Sequence, residues 1–138
     1  MPLTLKVRDV MDTKVVQVDG KAPVSDVLKM MLDNNVWSVV VTIDGLPSGV
    51  ITERDIIRRV IAKGSSLSVR AQEIMTSPII TISPDASLGE AMAKMVEKNI
   101  RRLFVVEKGN IIGRITQTEL FENNLNVMMT LSSIRHQL

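Results

Sequence analysis

Two stretches of the chain place their apolar side chains at the spacing of a one-sided helix. The first has apolar residues at positions 24, 27, 28, 31 and 32, and the second at positions 88, 91, 92, 95 and 96. This spacing puts all of them on one helical face and predicts two amphipathic helices. A short apolar run precedes each helix, and a longer, nearly continuous one follows it, Val36–Val41 after the first helix and Ile100–Val106 after the second. We interpret these runs as strands, the longer ones buried on both faces.

An internal repeat accounts for nearly the whole chain. Shifting the sequence by 64 positions aligns residues 10–57 with residues 74–121 without a gap, and Met11/Met75 and Gly49/Gly113 are among the identical pairs. Each repeat is predicted to run strand–helix–strand–strand–helix. The fold class is therefore α/β (α+β), with two pseudo-symmetric units whose sheets pack face to face, because one unit alone cannot cover its sheet. We expect the first unit over 7–64, a linker over 65–70, the second unit over 71–124 and a C-terminal helical extension over 125–138.

The stretch from Gly49 to Asp55 recurs as Gly113 to Glu119, and in each copy a strand runs into a helix. A threonine is followed three residues later by an acid, and two interpretations remain open. The pair can form a capping box, in which the threonine caps the helix and the acid accepts from the threonine N–H. Alternatively, the helix start can bind a phosphate while the acid accepts hydrogen bonds from a ribose diol. Capping boxes prefer Glu or Gln, so Glu119 favours the first interpretation and Asp55 the second.

Composition narrows the classes of function. The chain of 138 residues has 45% hydrophobic and 23% charged residues, and its net charge of +2 is too small to argue for nucleic acid. It has no cysteine, its one histidine is the near-terminal His136, and no nucleophile–base pair or metal cluster is evident, so we expect no enzyme and no metal site. No apolar run approaches a membrane span, and the N-terminus lacks the form of a signal peptide, so we expect a cytoplasmic protein.

The doubled order of elements, together with Gly49-Val50-Ile51-Thr52-Glu53-Arg54-Asp55, resembles a tandem pair of CBS (cystathionine-β-synthase) domains, also called a Bateman module. The resemblance covers about residues 7–121. It implies a regulatory module that binds an adenosyl ligand (AMP, ADP, ATP, S-adenosylmethionine or NAD) in the clefts between the two units. It also implies a flat homodimer, and an effector that we expect to be a separate protein.

The resemblance carries over residue by residue to a main cleft. Thr52 and Asp55 match the positions that hold the ribose hydroxyls and the adjoining phosphate. The segment Ser77-Pro78-Ile79 matches the frame of the adenine, and the start of the second unit's long strand closes the same pocket. The residues implied there are Thr52, Arg54, Asp55, Ser77, Pro78, Ile79, Ile100, Arg101 and Arg102. The three arginines are the cations nearest the phosphates, or else solvated surface charges, and a bidentate guanidinium suits phosphate oxygens.

The symmetric second cleft departs from the family's pattern. Its residues would be Thr13, Lys14, Val15, Val36, Trp37, Thr116 and Glu119. Glu119 is one methylene longer than Asp55, which should move its carboxylate out of register with a ribose diol, and Trp37 either stacks on an adenine or fills the cleft. We expect this site to be weak or empty.

Two other functions compete with ligand sensing. A structural interaction module would have vestigial, empty clefts and work through an apolar stripe from Leu125 to Ile134. Nucleic-acid binding, the third hypothesis, would use the cations Arg58, Arg59, Lys63, Arg101, Arg102 and Arg114. The near-neutral charge and the scarcity of aromatic residues argue against it.

Overall fold

The structure, a computed structural model, describes residues 5–123. The predicted extension over 125–138, with its apolar stripe from Leu125 to Ile134, lies outside the described residues. Along the chain the elements are α1 (Val7–Val10), β1 (Gln17–Asp19), α2 (Val24–Asn34), β2 (Ser38–Ile43), β3 (Leu46–Thr52), α3 (Glu53–Ile56) with a π-helical continuation (Ile57–Ile61), α4 (Ala71–Ile74), β4 (Thr81–Ile82), α5 (Leu88–Lys98), β5 (Arg102–Glu107), β6 (Asn110–Thr116) and α6 (residues 117–123).

Each repeat has the predicted strand–helix–strand–strand–helix order and forms its own three-stranded sheet, β1-β2-β3 in the first and β4-β5-β6 in the second. The first two strands of each sheet are parallel, and the second and third form an antiparallel hairpin. The long strand of the first repeat is buried on both faces from Ser38 to Val41, as its apolar run predicts. The predicted helix faces are confirmed in part, since Val27 and Met31 on α2 and Met95 on α5 are buried, whereas the last position of each face, Leu32 or Val96, is exposed.

The hairpins of the two repeats turn in the same way. Asp44 and Gly45 have φ of 52° and 79°, and Lys108 and Gly109 have φ of 52° and 80°. Two successive residues with positive φ make a turn whose twist matches that of the flanking strands, which is why a glycine occupies the second position in both.

The compact units of the structure are offset from the sequence repeats. One unit is Val15–Ile79, which we call the Asp55 unit, and the described part of the other is residues 5–14 with 80–123, which we call the Glu119 unit. The opening segment of each repeat, residues 5–14 in the first and 71–79 in the second, thus packs in the unit of the other repeat. In the Asp55 unit, Ala71 N donates to Ala22 O, and in the Glu119 unit Val7 N donates to Ala86 O, both at 2.8 Å. The domain boundaries expected from the sequence, at residues 64, 70 and 124, therefore separate the sequence repeats and do not separate the compact units.

A glycine on the third strand of each sheet permits this packing. A Cβ on Gly49 would lie 2.5 Å from Met75 Sδ, and a Cβ on Gly113 would lie 2.6 Å from Met11 Sδ. Beside these contacts the backbones pair, Val50 with Thr76 and Asp12 with Arg114. The glycine and the methionine are therefore the same in both repeats for one reason, which is that the opening segment approaches the third strand closely.

Candidate functional site

The helix that carries Asp55 begins at Thr52, which ends β3 in an extended conformation with φ −110° and ψ 169°. Thr52 Oγ1 accepts from Asp55 N at 3.4 Å, and Asp55 Oδ2 accepts from Thr52 N at 2.9 Å and from Thr52 Oγ1 at 3.3 Å. The capping box is therefore formed at Asp55. The expectation that the shorter acid disfavours capping is wrong, because the side chain of Asp55 reaches the threonine N–H without the extra methylene.

A second segment of the Asp55 unit supplies a further donor to this carboxylate. Thr76 Oγ1 donates to Asp55 Oδ1 at 3.0 Å, and the backbone of Thr76 pairs with Val50, its N–H and C=O each bonded at 2.9 Å. Arg59, one turn after Asp55, donates through Nη1 to the carbonyl oxygens of Ile74 (3.0 Å) and Met75 (2.9 Å). Its Nε lies 3.9 Å from Asp55 Oδ1, and the side chain of Asp55 is only 14% exposed. The acid is thus enclosed by groups that also fix the residues before Ser77.

The predicted adenine frame follows directly after these contacts. Ser77 and Pro78 are exposed and joined by a cis peptide bond, and Ile79 is half-buried. Because Thr76 is bonded to Asp55, the structure brings this segment to the Thr52–Asp55 motif. Arg54 is exposed on the first turn of α3.

The other residues implied for the main cleft belong to the Glu119 unit. Ile100 is half-buried and packs against that unit's core, Arg101 is exposed, and its carbonyl oxygen accepts from Gln117 N at 3.1 Å. Arg102 begins β5 and is half-buried. Their role beside Asp55 stays a prediction.

The equivalent motif of the Glu119 unit has a similar cap. Thr116 ends β6, its N–H donates to Glu119 Oε2 at 3.3 Å, and its hydroxyl donates to the same oxygen. Thr116 Oγ1 accepts from Thr118 N at 3.2 Å rather than from Glu119 N. The longer acid therefore also reaches the threonine, in agreement with the capping interpretation.

The facing residues implied for the second cleft divide between the two units. Thr13 and Lys14 are exposed in the Glu119 unit, and Lys14 N donates to Asp12 Oδ1 at 2.8 Å. In the Asp55 unit, Val15 is half-buried, Val36 is buried and Trp37 is 57% exposed. Trp37 therefore does not fill the interior of its own unit, and its role at a ligand stays a prediction.

Sequence reasoning missed two contacts at these motifs. Thr76 bonds Asp55 in one unit, and at the equivalent position of the other unit Asp12 forms an ion pair with Arg114 at 3.1 Å. The hydrogen bond from Lys14 N and the nearby guanidinium of Arg114 hold the pKa of Asp12 below its ordinary value. The available signal was the repeat itself, because Thr76 aligns with Asp12 although the preceding methionines, Met75 and Met11, are identical. Two of the six cations of the nucleic-acid hypothesis, Arg59 and Arg114, are thus engaged inside their units.

Two kinds of feature are absent from residues 5–123, the part of the chain that the structure describes. No helix there is long and apolar enough to cross a bilayer. No group of three or more histidine, cysteine, aspartate or glutamate side chains in that range could hold a metal ion.

Comparison with known proteins places the same motifs in a family. The sequence model of the CBS domain matches twice, over residues 7–62 and 71–125. A CBS domain-containing protein of Bacillus subtilis, YhcV, is 30% identical over 134 residues, which span 95% of this chain and 96% of the relative. The mitochondrial CBS domain-containing protein CBSX3 of Arabidopsis thaliana is 33% identical over 123 residues, covering 80% of this chain and 60% of that protein.

Solved structures agree with this assignment. An uncharacterized conserved protein from Pyrococcus horikoshii superposes with a TM-score of 0.82 at 33% identity, over 90% of this chain and 95% of that chain. A putative signal-transduction protein with CBS domains from Burkholderia ambifaria superposes with a TM-score of 0.82 at 27% identity, over 88% and 95%.

Proposed function

Because this chain belongs to the CBS domain family, we propose that it is a non-catalytic regulatory module that binds an adenosyl ligand at Asp55 and transmits the binding to a partner. The ligand class is an adenine nucleotide or S-adenosylmethionine. Similarity to a protein described as a putative signal-transduction protein with CBS domains is consistent with a regulatory role.

The observation that carries the proposal is the arrangement of donors around Asp55. An ionised carboxylate offers about four acceptor positions. The capping box occupies Oδ2 through two donors of Thr52, whereas Oδ1 accepts the hydroxyl of Thr76. The Thr76 bond is a hydroxyl-to-carboxylate contact of the kind that a ribose hydroxyl makes. Oδ1 can therefore accept a ligand hydroxyl beside Thr76 or in its place, while the capping box keeps the carboxylate in position.

The regulatory effect would be a coupling free energy between ligand and partner. Allosteric couplings are typically of order 1–3 kcal/mol, and they are reciprocal. A partner that favours the ligand-bound protein must therefore raise the affinity for the ligand by the same factor.

Self-association is the interaction that the exposed apolar side chains favour. In the Asp55 unit, Leu32, Ile57 and Ile61 are exposed, and the positions equivalent to the first two carry the exposed Val96 and Phe121. In the Glu119 unit this face contains a cavity of about 250 Å³ lined by Met92, Met95, Val96, Gln117, Leu120 and Phe121. A chain that carries two similar apolar faces suits pairing with a second copy of itself, because each face then meets its like across a two-fold axis. A homodimer is therefore the assembly we propose.

The dimer can be tested with two matched substitutions. Leu32 is 73% exposed on the apolar face, and Leu46 is 67% exposed at the start of β3. We expect Leu32→Glu to halve the mass measured by light scattering after size exclusion, and Leu46→Glu to leave the dimer intact. A wild-type monomer, or dissociation by both substitutions alike, would contradict this assembly.

Ligand binding can be tested by thermal unfolding in the presence of AMP, ADP, ATP, S-adenosylmethionine or NAD. A ligand at about 100 times its Kd stabilises the folded protein by roughly 2.7 kcal/mol. For a chain of this size that corresponds to a rise in Tm of roughly 10 °C. We expect at least one of these ligands to raise the Tm, and Asp55→Ala to abolish that rise.

The control is the same change in the other repeat. Glu119→Ala removes a capping acid as Asp55→Ala does, so the loss of the cap affects both variants and the ligand-induced rise in Tm separates them. We expect Glu119→Ala to keep the rise. No rise with any ligand in the wild-type protein would refute the sensor and favour the interaction module.

A further inference from the structure

The two repeats carry different residues at equivalent places around their acids. At an offset of 64 positions, Thr76 is matched by Asp12 and Arg59 by Asn123. The structure supports the equivalence, because Thr76 pairs with Val50 of β3 and Asp12 pairs with the equivalent residue of β6, Arg114. Each pair is joined by two backbone hydrogen bonds. The substitutions therefore change the chemistry at a matched position and leave the backbone arrangement the same.

In the Asp55 unit the acid is met by a hydroxyl and a cation. Thr76 donates to the carboxylate at 3.0 Å, and the guanidinium of Arg59 approaches it to 3.9 Å while holding two carbonyl oxygens of the neighbouring segment. The positive charge of Arg59 offsets the negative charge of Asp55.

In the Glu119 unit a second carboxylate stands where Thr76 stands in the other unit. The side chain of Asp12 pairs with Arg114, so this cation is already used by Asp12. Asn123, at the position of Arg59, is neutral and donates to the backbone oxygen of Glu119 at 2.7 Å. The Glu119 motif thus has one carboxylate more than the Asp55 motif, and Asn123 brings no charge where Arg59 brings one, so the Glu119 motif is the more negative of the two.

The first helical turns continue the same difference. Three arginines follow Thr52, and their equivalents are a threonine, an acid and an amide, the pairs being Arg54/Thr118, Arg58/Glu122 and Arg59/Asn123. Charges act on one another over about 10 Å at 0.1 M salt. Any phosphate of a ligand whose ribose contacts the acid lies within that range. Even with Glu53, whose equivalent is the neutral Gln117, and with the cation Lys14 beside Asp12, the Asp55 motif carries more positive charge and favours an anion more than the Glu119 motif does.

We propose that Thr76 and Arg59 determine the charge class of the ligand at Asp55, selecting adenosyl ligands that carry phosphate. This inference rests on the proposed function and adds the residues that set its specificity. The capping pair is common to both motifs, so the cap alone does not distinguish them. The neutral donor at position 76 and the cation at position 59 do.

The test is calorimetric titration of the full-length protein with ATP, AMP and adenosine. Thr76→Asp introduces the residue of the other repeat, and Thr76→Asn has the same size without the charge. We expect Thr76→Asp to weaken ATP binding by about tenfold relative to Thr76→Asn, AMP binding by less, and adenosine binding hardly at all. The loss for ATP should shrink at about 1 M salt, where screening is nearly complete.

A second pair of variants tests the proposal independently, in case Thr76→Asp does not fold. Arg59→Asn removes the cation, and Arg59→Lys keeps the charge but not the bidentate fork. We expect Arg59→Asn to weaken the binding of ATP most, of AMP less and of adenosine hardly at all. Arg59→Lys should bind ATP nearly as tightly as the wild type does. A merely structural role would instead weaken all three ligands by one factor and would be insensitive to salt.

The outcomes separate the two proposals. Equal losses for ATP, AMP and adenosine in Thr76→Asp and in Arg59→Asn would overturn this inference and leave the proposed function standing. A wild-type protein that binds none of the three, nor any other ligand of the panel, would overturn both.

Discussion

The packing of each opening segment on the other repeat's sheet can be tested at Gly49. A Cβ there would lie 2.5 Å from Met75 Sδ, 2.8 Å from Met75 Cγ and 3.0 Å from Thr76 O. Overpacking of this kind typically costs about 1–3 kcal/mol. The lower chain entropy of alanine in the unfolded state returns about 0.4–1 kcal/mol, because φ at Gly49 is not in the positive range. We therefore expect Gly49→Ala to cost about 1–2 kcal/mol of the free energy of unfolding.

The methionine that a Cβ on Gly49 would meet shows which opening segment packs against β3. Met75→Ala removes the two closest atoms and leaves only the carbonyl contact of Thr76. We expect Gly49→Ala with Met75→Ala to be less destabilised than the sum of the single variants by about 1 kcal/mol, a coupling typical of residues in contact. The assay is urea denaturation at constant slope.

The other repeat supplies the control. Gly113 faces Met11 in the same geometry, with 2.6 Å between its hypothetical Cβ and Met11 Sδ. Met11→Ala should rescue Gly113→Ala and should not rescue Gly49→Ala. If Met11→Ala rescues Gly49→Ala as well as Met75→Ala does, or if neither double variant shows coupling, the assignment of the opening segments is wrong.

Three further predictions concern the cores and the caps. Ile51→Val and Ile115→Val, at fully buried positions of β3 and β6, should each cost about 1 kcal/mol in urea denaturation, and a cost in only one of them would contradict the equivalence of the two cores. Thr52→Ala should cost about 0.5–2 kcal/mol through loss of the cap, with Thr52→Ser near wild type, and equal costs of both changes would exclude capping as the cause. Asp12 has a lowered pKa in the folded protein, so its stabilisation is full above the unfolded value of about 3.9 and is lost as the pH falls through the folded pKa. The excess stability of the wild type over Asp12→Asn should therefore be present at pH 6 and shrink below pH ~4, and a constant difference would refute the assignment.

Local patterns predicted the elements well, with small shifts at their ends. The apolar spacing places α2 and α5, and the threonine before an acid places the start of α3. The predicted strand Val36–Val41 begins two residues later, at Ser38, because Asn35 takes the left-handed conformation that ends α2 and the chain needs further residues to enter the sheet.

The offset of the compact units could not be predicted in the same way. The apolar residues Val7, Ala71 and Ile74, which lie in the short helices α1 and α4 that open the two repeats, are buried. Their pattern shows that one face is covered, but the two sheets have nearly the same apolar pattern and either could cover it. Pairing of the opening segment with a strand far along the chain is a tertiary choice that spacing does not encode.

The missed contacts at the candidate site follow from that offset. Thr76 reaches Asp55 only because residues 71–79 pack in the Asp55 unit. Thr52 and Asp55 were accessible from a local motif, whereas Thr76 and Arg59 required knowledge of the packing. Comparison of the repeats gave one indication of this difference between the sites, because Thr76 and Asp12 differ in charge although the methionines before them are identical.

The proposed binding of an adenosyl ligand at Asp55 is tested most directly by a titration with the ligand that raises the Tm most. Asp55→Asn keeps the size of the side chain and replaces one acceptor with a donor, and Glu119→Gln makes the matching change in the other repeat. Hydrogen bonds to charged groups contribute about 1.5–3 kcal/mol, so we expect Asp55→Asn to weaken binding roughly 10- to 100-fold. Glu119→Gln should bind as the wild type does. Unchanged affinity in Asp55→Asn, or an equal loss in both variants, would contradict the account.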